Sequence, residues 1–267
     1  MEFLIAATAF ALGAIVGSFL NVVIHRYPRE ESIVFPASHC ASCQTAIKPY
    51  DNVPILSYLW LRGRCRHCRE PFSIRYPLVE LANALFYLAI FQRTGPSVFF
   101  LPIAAIVSML IVLIYIDAEI QILPDVITYP AIALGLGTAS LGAAASAPEL
   151  FLATGWRHSL IGALSGAWLL TMLILVYWLI RRIEGMGWGD VKMLAMIGAL
   201  MGLEGVPAVL LLASVAGAAI GIPLALRHEK GMQVALPFGV FLGIATLGVL
   251  FFGHTLFSLW VRLVLLR

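Results

Sequence analysis

Charge is scarce in this chain. Only 12% of its 267 residues are Asp, Glu, Lys or Arg, against 61% hydrophobic, and that balance excludes an ordinary water-soluble globule. Several catalytic signatures are missing too. No His-Glu-x-x-His sets two imidazoles on one helical face for a catalytic zinc, and no Gly-x-Ser-x-Gly builds a serine elbow. No glycine-rich strand–turn–helix fingerprint for a nucleotide occurs, and Gly135-x-Gly137 lies inside an apolar run, where it reads as packing. No interleaving of basic and aromatic residues fits a nucleic-acid reader, so no nucleic acid is expected as a partner. The first apolar run lacks a basic leader and a small-residue cleavage site. It is expected to be a retained span, and the chain not to be processed.

What the chain has in abundance is long apolar runs, near 2–24, 78–93, 97–116, 125–144, 158–180, 190–204, 206–226 and 235–261. Runs of about 17–25 residues match a hydrocarbon core of about 30 Å. They predict an all-α polytopic membrane protein of about eight transmembrane helices, with the lipid bilayer as its first partner. An N-terminus outside places 13 of the 17 basic residues on the inner side, as the positive-inside bias requires. Small-residue spacings (Gly13/Gly17, Gly162/Gly166, Gly198/Gly202, Gly217/Gly221) suit close helix contact.

All four cysteines fall in the one long hydrophilic segment, 25–77, as Cys40-x-x-Cys43 and Cys65-x-x-Cys68. Two such pairs supply four thiolates at the spacing of a structural zinc, in a segment too small to hold itself together by an apolar core. Disulfides are the alternative, which a cytosolic location disfavours. His39 and His67 flank the cysteines and are expected outside the ligand set. The sequence therefore divides into a first helix (1–24), a cytoplasmic zinc-binding insertion (25–77) and a seven-helix membrane domain (78–267).

Two acids stand at water edges of apolar runs: Asp117, opening the segment to Pro124, and Asp190, after Gly187-Trp188-Gly189. A carboxylate beside lipid is costly unless paired, solvated or used. Each has a bland reading, Asp117 as a loop acid and Asp190 as a helix N-cap. Neither explains why both arrive on the same, cytoplasmic face. Two carboxylates sharing a proton and a water there predict aspartyl-type amide hydrolysis. Lys192 is expected to snorkel to lipid phosphates and Asp125 to cap the fourth span. His158 and His254 fall on the outer side. Glu80 stands where the insertion meets the membrane, and Asn21 ends the face begun by Gly13 and Gly17. A transporter predicts acids at mid-bilayer and repeated halves, and the sequence has neither. A zinc-bearing scaffold without catalysis would tolerate loss of both acids.

Together these residues resemble the bacterial type IV prepilin leader peptidases, which also act as N-methyltransferases. The resemblance rests on Gly17-Ser18-Phe19-Leu20-Asn21-Val22-Val23 with Arg26 and Pro28, both cysteine pairs, Asp51-Asn52-Val53-Pro54, and Leu61-Arg62-Gly63-Arg64-Cys65-Arg66. It continues through Arg75 to Glu80, Asp117 with Leu123-Pro124-Asp125, and Gly187-x-Gly189-Asp190. It implies a helical fold in the bacterial inner membrane with Asp117 and Asp190 as the catalytic pair. It further implies removal of the basic leader from pilin-like precursors on the cytoplasmic side, and methylation of the new N-terminus with S-adenosylmethionine. Analogy with the family places the methyl donor near Glu80 and Asn21. Glu119 and Glu184 are candidates for meeting the basic leader.

Overall fold

A computed structural model describes residues 2–182, 186–227 and 236–265. Their regular structure is helical, with two isolated bridges and no strand: α1 (Glu2–Arg26), α2 (Leu56–Trp60), α3 (Arg75–Thr94), α4 (Phe100–Ile120), α5 (Asp125–Ser140), α6 (Ala143–Ser146), α7 (Trp156–Arg181), α8 (Trp188–Met201), α9 (Gly205–Arg227) and α10 (Phe238–Leu265). Each of the eight apolar runs has become a helix. Five of them, α1, α4, α7, α9 and α10, are long and apolar enough to cross a membrane. The count of eight spans is not reached on that standard, for physical reasons. α5 and α8 have 16 and 14 residues, about 24 and 21 Å at 1.5 Å per residue, and α3 is interrupted by Arg75, Glu80, Asn83 and Arg93.

The chain forms two compact units, Met1–Pro96 and Ser97–Arg267. In the first, α1 packs along α3. Gly17 makes that possible, because a Cβ there would lie 2.7 Å from Glu80 Cα. The Asn83 amide donates across the contact to the Gly13 carbonyl at 2.7 Å, satisfying two polar groups that lipid could not.

In the second unit α8 is the central element, with α5, α7, α9 and α10 packed on it. Every residue from Asp190 to Met201 except Lys192 is buried, the pattern of a helix apolar all round. A helix enclosed by protein in this way does not need the length of a lipid-facing span. α7 and α8 approach to backbone contact, Gly162 against the Gly198 carbonyl and Gly166 against the Leu194 carbonyl. Gly217 and Gly221 do not serve this purpose: they face the side chains of Phe241 and Leu236.

Because nothing at the α7–α8 crossing can yield except backbone, Gly198→Val is expected to separate the helices and destabilise the unit by about 1–3 kcal/mol. Thermal unfolding of purified protein in detergent measures this; Gly217→Val should leave the transition nearly in place.

Candidate active site and metal centre

Three helix ends meet in the second unit. α4 does not stop before Asp117; it runs one turn farther, to Ile120. Gln121 closes it with φ 55 and donates its amide to the Asp117 carbonyl at 2.9 Å. Asp117 is thus a last-turn helical residue rather than the first of a loop, and it is 4% exposed. Asp190 is not the N-cap of its helix. Gly187 holds that place in extended conformation, and Asp190 lies within the first turn of α8, 8% exposed. Its carboxyl lies near the Gly187 amide and is close enough to Asp117 to feel its charge. Leu123 packs beneath both helix ends: a Cβ at Gly189 would lie 3.0 Å from Leu123 Cβ.

The third end is the start of α10, which the sequence reading did not include in the site. The Val240 amide donates to Asp117 Oδ2 at 2.9 Å. A Cβ on Gly239 would stand 2.8 Å from the same oxygen. A Pro-Phe-Gly opening an apolar run was available as a helix-start signal, but nothing in the sequence says which side chain that start will meet. Among the described residues, neither Asp117 nor Asp190 forms an ion pair. Two carboxyls buried close together cannot both ionise easily, and an arrangement of this kind is able to share a proton and polarise a water.

The neighbouring polar residues are otherwise engaged. Asp125 follows the cap Pro124 instead of capping α5, and accepts from Lys192 Nζ at 2.5 Å. Lys192 therefore does not snorkel, nor does it fold back onto Asp190. Glu119 is exposed in the last turn of α4, and Glu184 lies outside the described residues. His158 hydrogen-bonds Glu204, and His254 donates to the Leu150 carbonyl at 3.3 Å. His158 and Glu204 flank the far end of α8 from Asp190.

In the first unit, Asn21 donates through Nδ2 to the Tyr76 carbonyl at 3.0 Å, while its buried Oδ1 has no hydrogen-bond partner. Glu80 accepts from the Ser18 hydroxyl and, at 2.7 Å, from the Ile55 amide. Ile55 has φ 64 and ψ −53, and the Leu56 amide donates to the Pro54 carbonyl at 2.6 Å. These are the marks of a γ-turn with positive φ, a strained form that a β-branched residue adopts only when held. The Glu80 carboxylate is one such hold.

The four cysteine sulfurs lie within 4.8 Å of one another, with Cys40–Cys68 at 3.7 Å and Cys43–Cys65 at 3.9 Å. A tetrahedral ion at about 2.3 Å from each sulfur would set them about 3.8 Å apart. The tetrad is compatible with a structural metal. Its two halves repeat each other: the Cys40 amide donates to the Thr45 carbonyl and Ile47 to Ser38, as Cys65 does to Glu70 and Phe72 to Gly63. Hydrogen bonds from Thr45 draw the Cys43 thiol down to about 6. Cys68 goes the other way, to about 12: burial and the neighbouring thiols outweigh its Glu70 backbone bond. His39 donates to the Ala37 carbonyl at 3.0 Å, and neither it nor His67 belongs to the cluster. Arg66 grips Asp51 through two nitrogens and holds its carboxyl below the usual range.

Sequence comparison now decides the family. Residues 11–94 match the bacterial peptidase A24 N-terminal domain, and residues 104–222 match the type IV leader peptidase family. This chain belongs to the type IV leader peptidase family. Relatives named prepilin leader peptidase/N-methyltransferase include proteins of Burkholderia pseudomallei, Aeromonas hydrophila and Pseudomonas putida. They are 37%, 36% and 38% identical, over 95%, 96% and 89% of this chain and 87%, 93% and 87% of their own lengths. No solved structure matches the chain.

Removing the metal should loosen the insertion before it touches the membrane helices. Chelator treatment, or Cys40→Ser with Cys65→Ser, is expected to speed tryptic cutting between residues 38 and 72 on the order of tenfold. Peptide mapping of the time course reads this, with cuts within α7 as the internal control.

Proposed function

We propose that this leader peptidase is a membrane-embedded aspartic endopeptidase. In this reading it removes the basic leader of type IV pilin-like precursors at the cytoplasmic membrane face, then N-methylates the new N-terminus with S-adenosylmethionine. The observation that carries the reading is the meeting of Asp117 and Asp190, from separate helices, in an apolar setting with no ion-pair partner among the described residues, in a chain whose relatives bear the name prepilin leader peptidase/N-methyltransferase.

The chemistry follows from the shared proton. One carboxylate removes a proton from a water as the water oxygen bonds to the scissile carbonyl carbon; the other gives its proton to the carbonyl oxygen. As the C–N bond of the resulting diol breaks, the first carboxyl returns its proton to the leaving nitrogen and the second takes one back from a diol hydroxyl. Cleavage ends with the dyad as it began. A pilin-like precursor, a basic leader followed by an apolar helix, would present its scissile bond at the water edge, the depth assigned to both acids. Hydrolysis needs an unwound peptide, and the segments flanking the two acids give it room.

The remaining assignments complete the reading. Eight helices span the inner membrane with the N-terminus outside, α5 and α8 being short spans sheltered by their neighbours and α3 a span that carries polar residues. The parts are the first helix (1–24), the insertion (25–77) and the membrane domain (78–267). Zinc is the ion for Cys40, Cys43, Cys65 and Cys68; a shell of four thiolates leaves no open position, which makes it architectural. For the methyl donor, Glu80 and Asn21 suit a cationic group. Glu80 has only neutral donors, and Asn21 Oδ1 is a buried acceptor without a partner. S-adenosylmethionine would supply a methyl group activated by a sulfonium. Glu119, two residues past Asp117, is the acid proposed to meet the leader.

A single assay, a pilin-like precursor with mass readout, tests these assignments. Asp117→Asn and Asp190→Asn should each lower cleavage by roughly a thousandfold or more. Survival of cleavage in either would remove that acid from the dyad. Glu80→Gln and Asn21→Ala should cleave normally but add the methyl at least about tenfold more slowly; equal loss of both steps would make their role structural. Glu119→Lys should raise KM for the precursor and leave kcat in place.

A further inference from the structure

We propose that Gly239 is a positioning residue for the dyad, and that the start of α10 fixes Asp117 as the ionised base and leaves the shared proton on Asp190. This deepens the aspartyl reading given above and rests on it.

The argument starts from backbone chemistry. The first amides of a helix have no carbonyl partner within it, so they are free to bind an anion. At α10 that anion is Asp117: the Val240 amide donates to Oδ2 at 2.9 Å, and the Gly239 amide lies beside the carboxyl. Asp190 has one amide nearby, Gly187. Helix dipoles act in the opposite sense, since the start of α8 favours charge on Asp190 and the end of α4 disfavours it on Asp117. Hydrogen bonds made directly to a charged group are the stronger of the two effects. The proton therefore resides on Asp190.

Gly239 is what lets the helix start come so close. A Cβ there would lie 2.8 Å from Asp117 Oδ2, 3.0 Å from its Cγ and 3.1 Å from Leu123 Cδ1. Any side chain would have to push the carboxylate off its amides. Among the described residues few other charges bear on the pair: Glu119, on α4 with Asp117, is exposed. α8 presents Asp190 itself, and its Lys192 is paired with Asp125 of α5. α10 presents the two amides, and the segment between α4 and α5 packs the apolar Leu123 against them.

The assignment gives each carboxyl one job. Asp117 takes the proton from water as the oxygen–carbon bond forms, and later passes it to the leaving nitrogen. Asp190 protonates the carbonyl oxygen and recovers a proton from the diol.

Two experiments test it. The first uses wild-type protein: an epoxide is opened by an ionised carboxylate and not by a protonated one, so 1,2-epoxy-3-(p-nitrophenoxy)propane should alkylate Asp117, as read by peptide mapping. Asp190 is no less exposed, so access alone would not produce that choice. Alkylation of Asp190, of both equally or of neither overturns the assignment. The second is Gly239→Ala, which should lower kcat about tenfold or more with KM within about twofold, and move the acid limb of the kcat–pH profile to higher pH. Gly243→Ala is the control, since it forces a Cβ against Ile114 and Met193 on the same face of α10, away from the carboxylate. It should keep the wild-type pH profile. A wild-type profile in Gly239→Ala, or the same shift in Gly243→Ala, overturns the positioning role. The dyad reading fails differently, by cleavage surviving in Asp117→Asn or Asp190→Asn.

Discussion

Two carboxyls buried close together, with no ion-pair partner among the described residues, are the constraint around which the second unit is organised. Burial of a carboxylate charge is costly unless hydrogen-bond donors replace the lost water. Side chains supply few donors here, because the bundle around α8 is almost wholly apolar. Backbone amides are left, and only those at helix starts are unspent. That is why Asp117 meets the start of α10 and Asp190 lies in the first turn of α8. Gly239 follows from the same need, since a Cβ there would lie 2.8 Å from Asp117 Oδ2.

The sequence announces the parts of this arrangement more clearly than their meeting. Apolar runs mark all eight helices, because period and length are local properties. Asp117, Asp190 and the four cysteines stand out because each breaks a local expectation: acid beside lipid, thiols in paired spacing. Gly239 breaks none. A glycine opening an apolar run is ordinary, and its closeness to Asp117 arises only when residues more than a hundred positions apart fold together. The cap readings of Asp125 and Asp190 go astray for a related reason. Capping propensity describes an isolated helix end, whereas here Lys192 claims one carboxylate and the dyad claims the other. The γ-turn at Ile55 is hidden more deeply still, since a β-branched residue is the last that propensity would place at positive φ.

The insertion meets a different difficulty. It is too small to be held by a core and too polar to be held by lipid, so its stability has to come from bonds with direction. The tetrad supplies one set, pinning two hairpin-like halves that repeat each other around a common centre. Glu80 supplies another by gripping the Ile55 amide from α3. A strained turn tied to a buried carboxylate makes the state of the insertion felt at the α1–α3 crossing, where Asn21 keeps an acceptor without a partner. Within the first unit, tetrad, turn and crossing are thus physically continuous. On the proposed reading, that continuity gives the cysteines a bearing on methyl transfer even though a closed shell of thiolates performs no chemistry.

The placing of the acids at helix ends rather than mid-helix also bears on how a protease works in lipid. In the middle of a helix every amide and carbonyl is already paired, and a substrate strand entering there would find no partner for its own backbone. At the water edge, where helices end, the last carbonyls and first amides have no partner within their own helix, although at α10 the Val240 amide is already given to Asp117. A peptide bond unwound at that depth loses its intrahelical hydrogen bonds but gains access to groups of both kinds, and to water. The free energy of unwinding is therefore offset at the one level where the nucleophile is available. A carboxyl pair moved two turns deeper would keep its chemistry and lose that offset, which makes depth in the bilayer as much a part of the proposed site as the identity of the residues.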